Sequence, residues 1–275
     1  MKIEKLRNKI VVYNPTDFNV AQTLECGQIF RYQINNKCAY VYCLDKSAKL
    51  TTYSDRIEIE TKDVDFFYNF FDFETDYSKI KKKLKNDEFL SKAIEFGYGI
   101  RILNNDLYEM LISFIISANN NIKRIQKSIQ SLCVKFGKNK GEFYAFPTLS
   151  ELKMATVEDF KQAGLGYRAE QMFKTVQKLT EQDLINLKKM NSIDQEKFLI
   201  SLSGIGEKVA NCIMLFGLAV RNVFPVDTWI NKVYNDLTKT NETNRKKITK
   251  KLTDRYGELS GYAQQYVYYY YRENK

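Results

Sequence analysis

Residues 200–237, ISLSGIGEKVANCIMLFGLAVRNVFPVDTWINKVYNDL, decide how the chain is read. They hold a tight turn, Leu202-Ser203-Gly204-Ile205-Gly206, then a helix with Lys208 in its first turn. A loop through Pro225 follows and leads to Asp227 at the mouth of another helix. Glycines at 204 and 206 permit positive φ and close approach of another backbone. The N–H groups of such a turn, with the N-terminus of the next helix, make an anion site suited to a phosphate. A plain glycine-rich link between helices would read the same way, so the turn alone does not settle function.

Lys208 carries more information. Its neighbours Val209, Ile213 and Phe216 are apolar, so its stem is expected along a partly buried surface, with Cys212 one turn on along the same face. A desolvated ammonium near the positive end of a helix is expected to have its pKa pushed down, which would free the neutral amine as a nucleophile. Asp227 precedes Ile230, Val233, Tyr234 and Leu237, which follow helical spacing, and so reads as an N-cap. A capping carboxylate beside a sugar could also stabilise positive charge at the anomeric carbon.

Composition narrows the chemistry. The 275 residues include no histidine, so Ser-His-Asp and Cys-His nucleophile systems and imidazole metal sites are excluded. Five cysteines (26, 38, 43, 133 and 212) form no CxxC pair, which argues against a zinc ribbon or a disulfide framework. With no cysteine after Cys212, a C-terminal iron–sulfur loop is impossible. Basic residues exceed acidic ones, 43 to 33, and a net charge of +10 favours a polyanionic partner. No apolar run reaches the ~18 residues of a membrane span, and the first residues lack the apolar core of a secretory signal. A cytoplasmic protein without a membrane partner is expected.

Working outward, residues 1–62 read as a twisted antiparallel meander with strands at 9–13, 28–34, 38–44, 49–53 and 56–60. Ile57 and Ile59 alternate with Glu58 and Glu60, which gives that strand one wet face. From about residue 77 the pattern turns helical. The expected fold is α+β: an antiparallel β domain over 1–76, then a helical region over 77–275, with a helix–hairpin–helix at about 193–219.

Leu-Ser-Gly-Ile-Gly-Glu-Lys-Val-Ala at 202–210, followed by Pro-Val-Asp 19 residues after the lysine, resembles the helix–hairpin–helix/Gly-Pro-Asp superfamily of base-excision DNA glycosylases. Within it the chain resembles the 8-oxoguanine DNA glycosylase/AP lyases. CGQIFRYQ at 26–33, SFIISANNNIKRI at 113–125, GLGYRAEQ at 164–171 and GYAQQYVYYYY at 261–271 carry the likeness across most of the chain.

The resemblance implies roles. Lys208 falls on the lysine that attacks C1′, expels the base and forms a Schiff base, after which β-elimination nicks the strand. Asp227 falls on the aspartate that stabilises the oxocarbenium ion. Gly27 matches the glycine whose carbonyl reads the N7 hydrogen of 8-oxoguanine, and Gln264 the side chain that reads the Watson–Crick edge. Cys212 and Tyr268 match the pair that sandwiches the flipped base, with tyrosine where phenylalanine is usual. Asn119, Arg124 and Arg168 match residues that fill the vacated space and read the unpaired cytosine, and Tyr167 matches the wedge ring. Gly204 and Gly206 match the hairpin that grips the DNA backbone. Trp229 stands where eukaryotic members place a phosphate-binding histidine.

No cofactor or catalytic metal is implied. In the family a structural cation can sit on hairpin carbonyls, which here belong to Leu202 and Ile205. The implied partner is duplex DNA with 8-oxoguanine opposite cytosine, bound by a monomeric, prokaryotic, nucleoid-associated protein. Two rivals share the fold signals: a monofunctional alkylbase glycosylase, whose members lack the motif lysine, and a non-catalytic helix–hairpin–helix DNA-binding module, which has no need of Lys208, Asp227 and the Gln264 segment together.

Overall fold

A computed structural model describes residues 1–274, the side chain of residue 89 excepted. After β1 (Lys2–Leu6) and β2 (Lys9–Tyr13) comes a short helix, α1 (Val20–Glu25). Strands β3 (Tyr32–Ile34), β4 (Cys38–Cys43), β5 (Lys46–Thr52) and β6 (Arg56–Glu60) complete one antiparallel sheet, in the order β1-β2-β6-β5-β4-β3. Three helices lead away from it: α2 (Val64–Phe70), α3 (Tyr77–Leu84) and α4 (Glu88–Phe96). The middle of the chain holds α5 (Leu107–Ser117), α6 (Ile122–Phe136), α7 (Leu149–Lys153), α8 (Val157–Gln162), α9 (Arg168–Lys178) and α10 (Glu181–Leu187). Last come α11 (Ser192–Ile200), α12 (Glu207–Gly217), α13 (Thr228–Thr238), α14 (Arg245–Tyr256) and α15 (Ser260–Glu273). The class is α+β. Among the described residues no helix is long and apolar enough to cross a membrane.

Alternation builds the sheet. Ile10 pairs with Ile59 and Val12 with Ile57, and all four point inward, while Glu58 turns outward and meets Lys9 at 2.8 Å. The inner face packs on Phe18, Phe67, Phe70, Phe71 and Phe73. This core runs from Ile10 to Phe73 and takes in Leu103; Cys26, Phe30 and the chain from Tyr77 onward belong to the helical core.

Several elements depart from the sequence reading. β1 went unseen because it is an edge strand with no fully buried position, so it lacks an alternating apolar face. Residues 20–25 are helical, with Asn19 capping the Gln22 N–H at 3.0 Å. Of the strand expected at 28–34 only Tyr32–Ile34 pairs, because Gln28 is buried in an irregular segment satisfied by side chains. Helix formation begins at Val64, ahead of residue 77.

Buried polar ties lock the sheet to the helices. Arg101 donates to the carbonyls of Phe71 (2.9 Å), Asp17 (3.2 Å), Thr75 (3.0 Å) and Asp72, and stacks 4.0 Å from the centre of the Tyr77 ring. Arg31 meets Glu109 of α5 at 3.3 Å and donates to the carbonyls of Leu44 (3.1 Å) and Tyr144 (2.7 Å). Glu109 also accepts the Leu44 N–H at 2.6 Å. Burial pushes its carboxyl pKa up, and Arg31 and that N–H pull it only part of the way back.

Glu109→Ala would leave Arg31 as an uncompensated interior charge. It should lower the unfolding free energy by about 3–5 kcal/mol, read by urea denaturation at neutral pH. A loss below about 1 kcal/mol would place this pair among solvent-screened bridges.

Candidate active site

The α11–α12 hairpin is pressed into the helical core at its first glycine. Gly204 has φ +85°, and a Cβ there would lie 3.1 Å from Gln171 Cβ and 3.4 Å from Ile115 Cγ2. Thr175 donates to the Ser203 carbonyl at 2.8 Å, and Lys178 reaches the Ser201 carbonyl at 3.3 Å. Gly206 behaves otherwise. Its φ is −95°, so the expected positive φ holds only at 204; it is the N-cap of α12, with no capping side chain, and a Cβ there would meet nothing within 4 Å. The first N–H groups of α12 are therefore left open to an anion. Leu202 and Ile205 offer backbone carbonyls without any carboxylate, and Leu202 already accepts the Ile205 N–H at 3.3 Å. That donor set suits a loosely held monovalent cation better than a divalent one.

Lys208 is the second residue of α12, and its Nζ lies 5.9 Å from the centre of the Phe114 ring. Phe114 is stacked on Phe216 at 5.7 Å and meets the edge of Phe30 at 5.6 Å. Burial pushes the Lys208 ammonium pKa down. Cys212, to which it hydrogen-bonds, Asp227 and Tyr268 push it up, and together they win. The depressed pKa expected from the sequence is thus corrected: the desolvation is there, but partners folded in from α13 and α15 outweigh it. Burial also raises the pKa of the Cys212 thiol, with Lys208 pulling it only part of the way back. Asp227 is the N-cap of α13, accepting the Ile230 N–H at 2.9 Å. One carboxylate thus both starts a helix and faces the lysine. Trp229 is half-buried two residues further on.

The opposite wall comes from the two ends of the chain. Gly27, φ +83°, lies between α1 and β3, and a Cβ there would be 3.0 Å from Tyr268 Cε1. Gln28 donates to the carbonyls of Thr23 (2.9 Å) and Arg101 (2.7 Å) and accepts from Leu103 N–H (2.8 Å). Gln265 of α15 donates to the Cys26 carbonyl at 2.6 Å. Gln264 is buried one turn before Tyr268, and its Oε1 has no hydrogen-bond partner among the described residues. An unmet buried acceptor costs stability unless something else meets it. Lys208, Cys212, Asp227, Tyr268 and Gly27 are thus brought together, with Gln264 beside them on α15.

A second cluster lies at the α5–α6 junction. Asn119 is exposed with φ +49°, and Asn121 caps α6 through the Arg124 N–H at 3.0 Å. Arg124 is exposed on the first turn of α6. Tyr167 is 61% exposed, and its hydroxyl lies 3.4 Å from the Ala118 carbonyl. Arg168, matched by resemblance to a reader of the unpaired cytosine, has its guanidinium bonded to protein carbonyls. It is buried under the Tyr167 ring, 4.4 Å from its centre, and donates to Ala118 (2.6 Å), Asn119 (2.7 Å) and Leu165 (3.4 Å) carbonyls. It props the loop that presents Asn119. The sequence reading gave no role to Gln28, Gln265 or Arg272, whose partners lie far away in the chain.

A lysine amine and a carboxylate beside an open helix N-terminus make a site fit for an anion and for amine chemistry. Comparison with known proteins agrees. Residues 10–111 match the family described as 8-oxoguanine DNA glycosylase, N-terminal domain, and residues 112–258 match the family described as HhH-GPD superfamily base excision DNA repair protein. The chain belongs to the HhH-GPD superfamily, in the group that carries the 8-oxoguanine DNA glycosylase N-terminal domain. It is 36% identical to the 8-oxoguanine glycosylase/lyase of Clostridium acetobutylicum, solved with double-stranded DNA containing cytosine opposite 8-oxoG. The TM-score is 0.93, over 100% of this chain and 98% of that one. It is 35% identical over 200 residues to the N-glycosylase/DNA lyase OGG1 of Arabidopsis thaliana, covering 64% of this chain and 55% of that protein. A probable N-glycosylase/DNA lyase of Methanothermobacter thermautotrophicus is 30% identical over 207 residues, covering 66% of each. The match thus spans just over half the length of the plant relative.

Asparagine caps a helix as well as aspartate does, so Asp227→Asn loses only the charge beside Lys208, whereas Asp227→Ala loses the cap as well and should be about 1 kcal/mol less stable than Asp227→Asn. Thermal denaturation tests this. An equal loss in both variants would show that the charge, rather than the cap, holds α13.

Proposed function

We propose that this chain is a bifunctional DNA glycosylase/AP lyase that removes 8-oxoguanine from duplex DNA. The observation that carries the reading is the half-buried Lys208 amine, hydrogen-bonded to Cys212 and within electrostatic reach of Asp227 and of Tyr268 in the Gly27–Tyr268 wall. A non-catalytic hairpin would gain nothing from burying an amine there, and a glycosylase using water would not need one.

The steps follow from placement. The hairpin N–H groups take a DNA phosphate, and the target nucleotide turns out of the duplex at a cost of a few kcal/mol. The base enters between Cys212 and Tyr268, with Gly27 and Gln264 at its edges. Positive charge grows at C1′ as the glycosidic bond breaks, and the Asp227 carboxylate stabilises it. The Lys208 amine, having lost its proton, bonds to C1′, and the base departs with the bonding electrons. Ring opening gives an imine that acidifies C2′–H, and loss of that proton expels the 3′ phosphate. Hydrolysis of the imine then frees Lys208. Asn119 and Tyr167 fill the gap left in the helix, and Arg124 approaches the opposite cytosine. Gly206 keeps the hairpin clear for backbone contact, and Trp229 is half-buried in the first turn of α13. A monovalent cation on the Leu202 and Ile205 carbonyls would support the phosphate grip without entering the reaction. No cofactor is required. The protein acts as a monomer on the nucleoid of a prokaryotic cytoplasm.

Borohydride should trap a covalent complex with an 8-oxoguanine·cytosine duplex, and Lys208→Gln should abolish both trapping and nicking. A variant that still crosslinks would place the nucleophile elsewhere. Because the Lys208 pKa is raised, the neutral amine is a minor species that grows about tenfold per pH unit below that pKa. Single-turnover base release should therefore climb with pH up to at least about pH 9. A plateau below about pH 8 would mean that the amine is already free at neutral pH.

A further inference from the structure

Arg272, one turn beyond Tyr268 on α15, has no place in the chemistry described so far. Its Nη2 donates to the Glu25 carbonyl at 2.6 Å and its Nε to Glu273 at 2.8 Å. The guanidinium lies 5.5 Å from the centre of the Tyr268 ring and 5.6 Å from that of Tyr269. Nη1 is sealed from solvent against the Tyr268 phenol and makes no hydrogen bond of normal geometry among the described residues. It stands 3.4 Å from where a Gly27 Cβ would be, and the Tyr268 hydroxyl is 3.5 Å from the same point. One side chain therefore holds the turn before Gly27, faces Gly27 and lies along the ring opposite it.

We propose that Arg272 is a positioning residue for the base pocket, fastening the turn at residues 25–27 to the Tyr268 ring and so setting the gap a flipped base enters. This rests on the glycosylase reading given above. Arginine suits the task because its planar fork can bond a carbonyl and stack on a ring at once, which a lysine ammonium cannot do. The fastening lies on α15 and the 25–27 turn, whereas Lys208 and Asp227 lie on α12 and at the start of α13. Arg272 should therefore matter when a base must be held, and hardly at all when the base is already gone.

The test compares Arg272→Met and Arg272→Lys with the parent on two duplexes, one carrying 8-oxoguanine opposite cytosine and one a preformed abasic site. In single turnover, both variants should release the base about tenfold more slowly, and nick the abasic duplex within about twofold of the parent rate. Retained nicking also reports an intact fold. Equal loss on both duplexes would make Arg272 a general support and overturn the proposal. Parent-like base release by Arg272→Met would overturn it too, and full recovery in Arg272→Lys would assign the effect to charge and overturn the fastening. A parent chain inert on both duplexes would instead overturn the glycosylase reading, and this proposal with it.

Discussion

The last carbonyls of α1, with that of Cys26 just after it, have no regular ladder to join, and buried carbonyls must find donors somewhere. They find them in side chains, two of them from the far end of the chain. Gln28 answers Thr23 and Arg101, Gln265 answers Cys26 across 239 residues of sequence, and Arg272 answers Glu25. Arg101 in turn ties the loops at 17 and 71–75 to its own segment. The left-handed Gly27 exists where these ties converge, so sheet, loop and last helix must all be in place before the pocket wall exists.

Electrostatics sets the other half of the site. Lys208 is taken out of water at a helix N-terminus, where two effects oppose its charge. Asp227 and Cys212 answer them and keep the ammonium. On the proposed reading, Lys208 and Cys212 share α12, while Gly27 and Gln264, at the edges of the base, lie on other elements. DNA gripping and bond making then share α12 and α13, and the edges of the base are read from elsewhere.

What the sequence revealed was local. β2 and β6 match the expected limits residue for residue, because a β-branched run in β2 and apolar alternation in β6 mark each strand from within. Asp227 was recognisable as a cap from the spacing of four apolar residues after it, and the glycine turn from its own letters. The gathering of Gly27, Gln264, Cys212 and Tyr268 came from resemblance, since no local pattern joins residues 27 and 264. What failed was long-range. The rise in the Lys208 pKa depends on α13 and α15, the burial of Arg168 depends on two carbonyls about 50 residues away, and the fastening by Gln265 and Arg272 leaves no periodic mark. β1 was missed for the opposite reason: a wet edge strand has no buried face to advertise it.

The identity of the bonding amine is the claim on which the chemistry turns. Mass spectrometry of the borohydride-reduced complex, after digestion with trypsin and nuclease, locates the sugar remnant on the protein. It should lie on Lys208, within the uncleaved peptide 198–221, because a modified lysine resists trypsin. A remnant on Lys178, on the N-terminal amine or on any other lysine would contradict the assignment of Lys208.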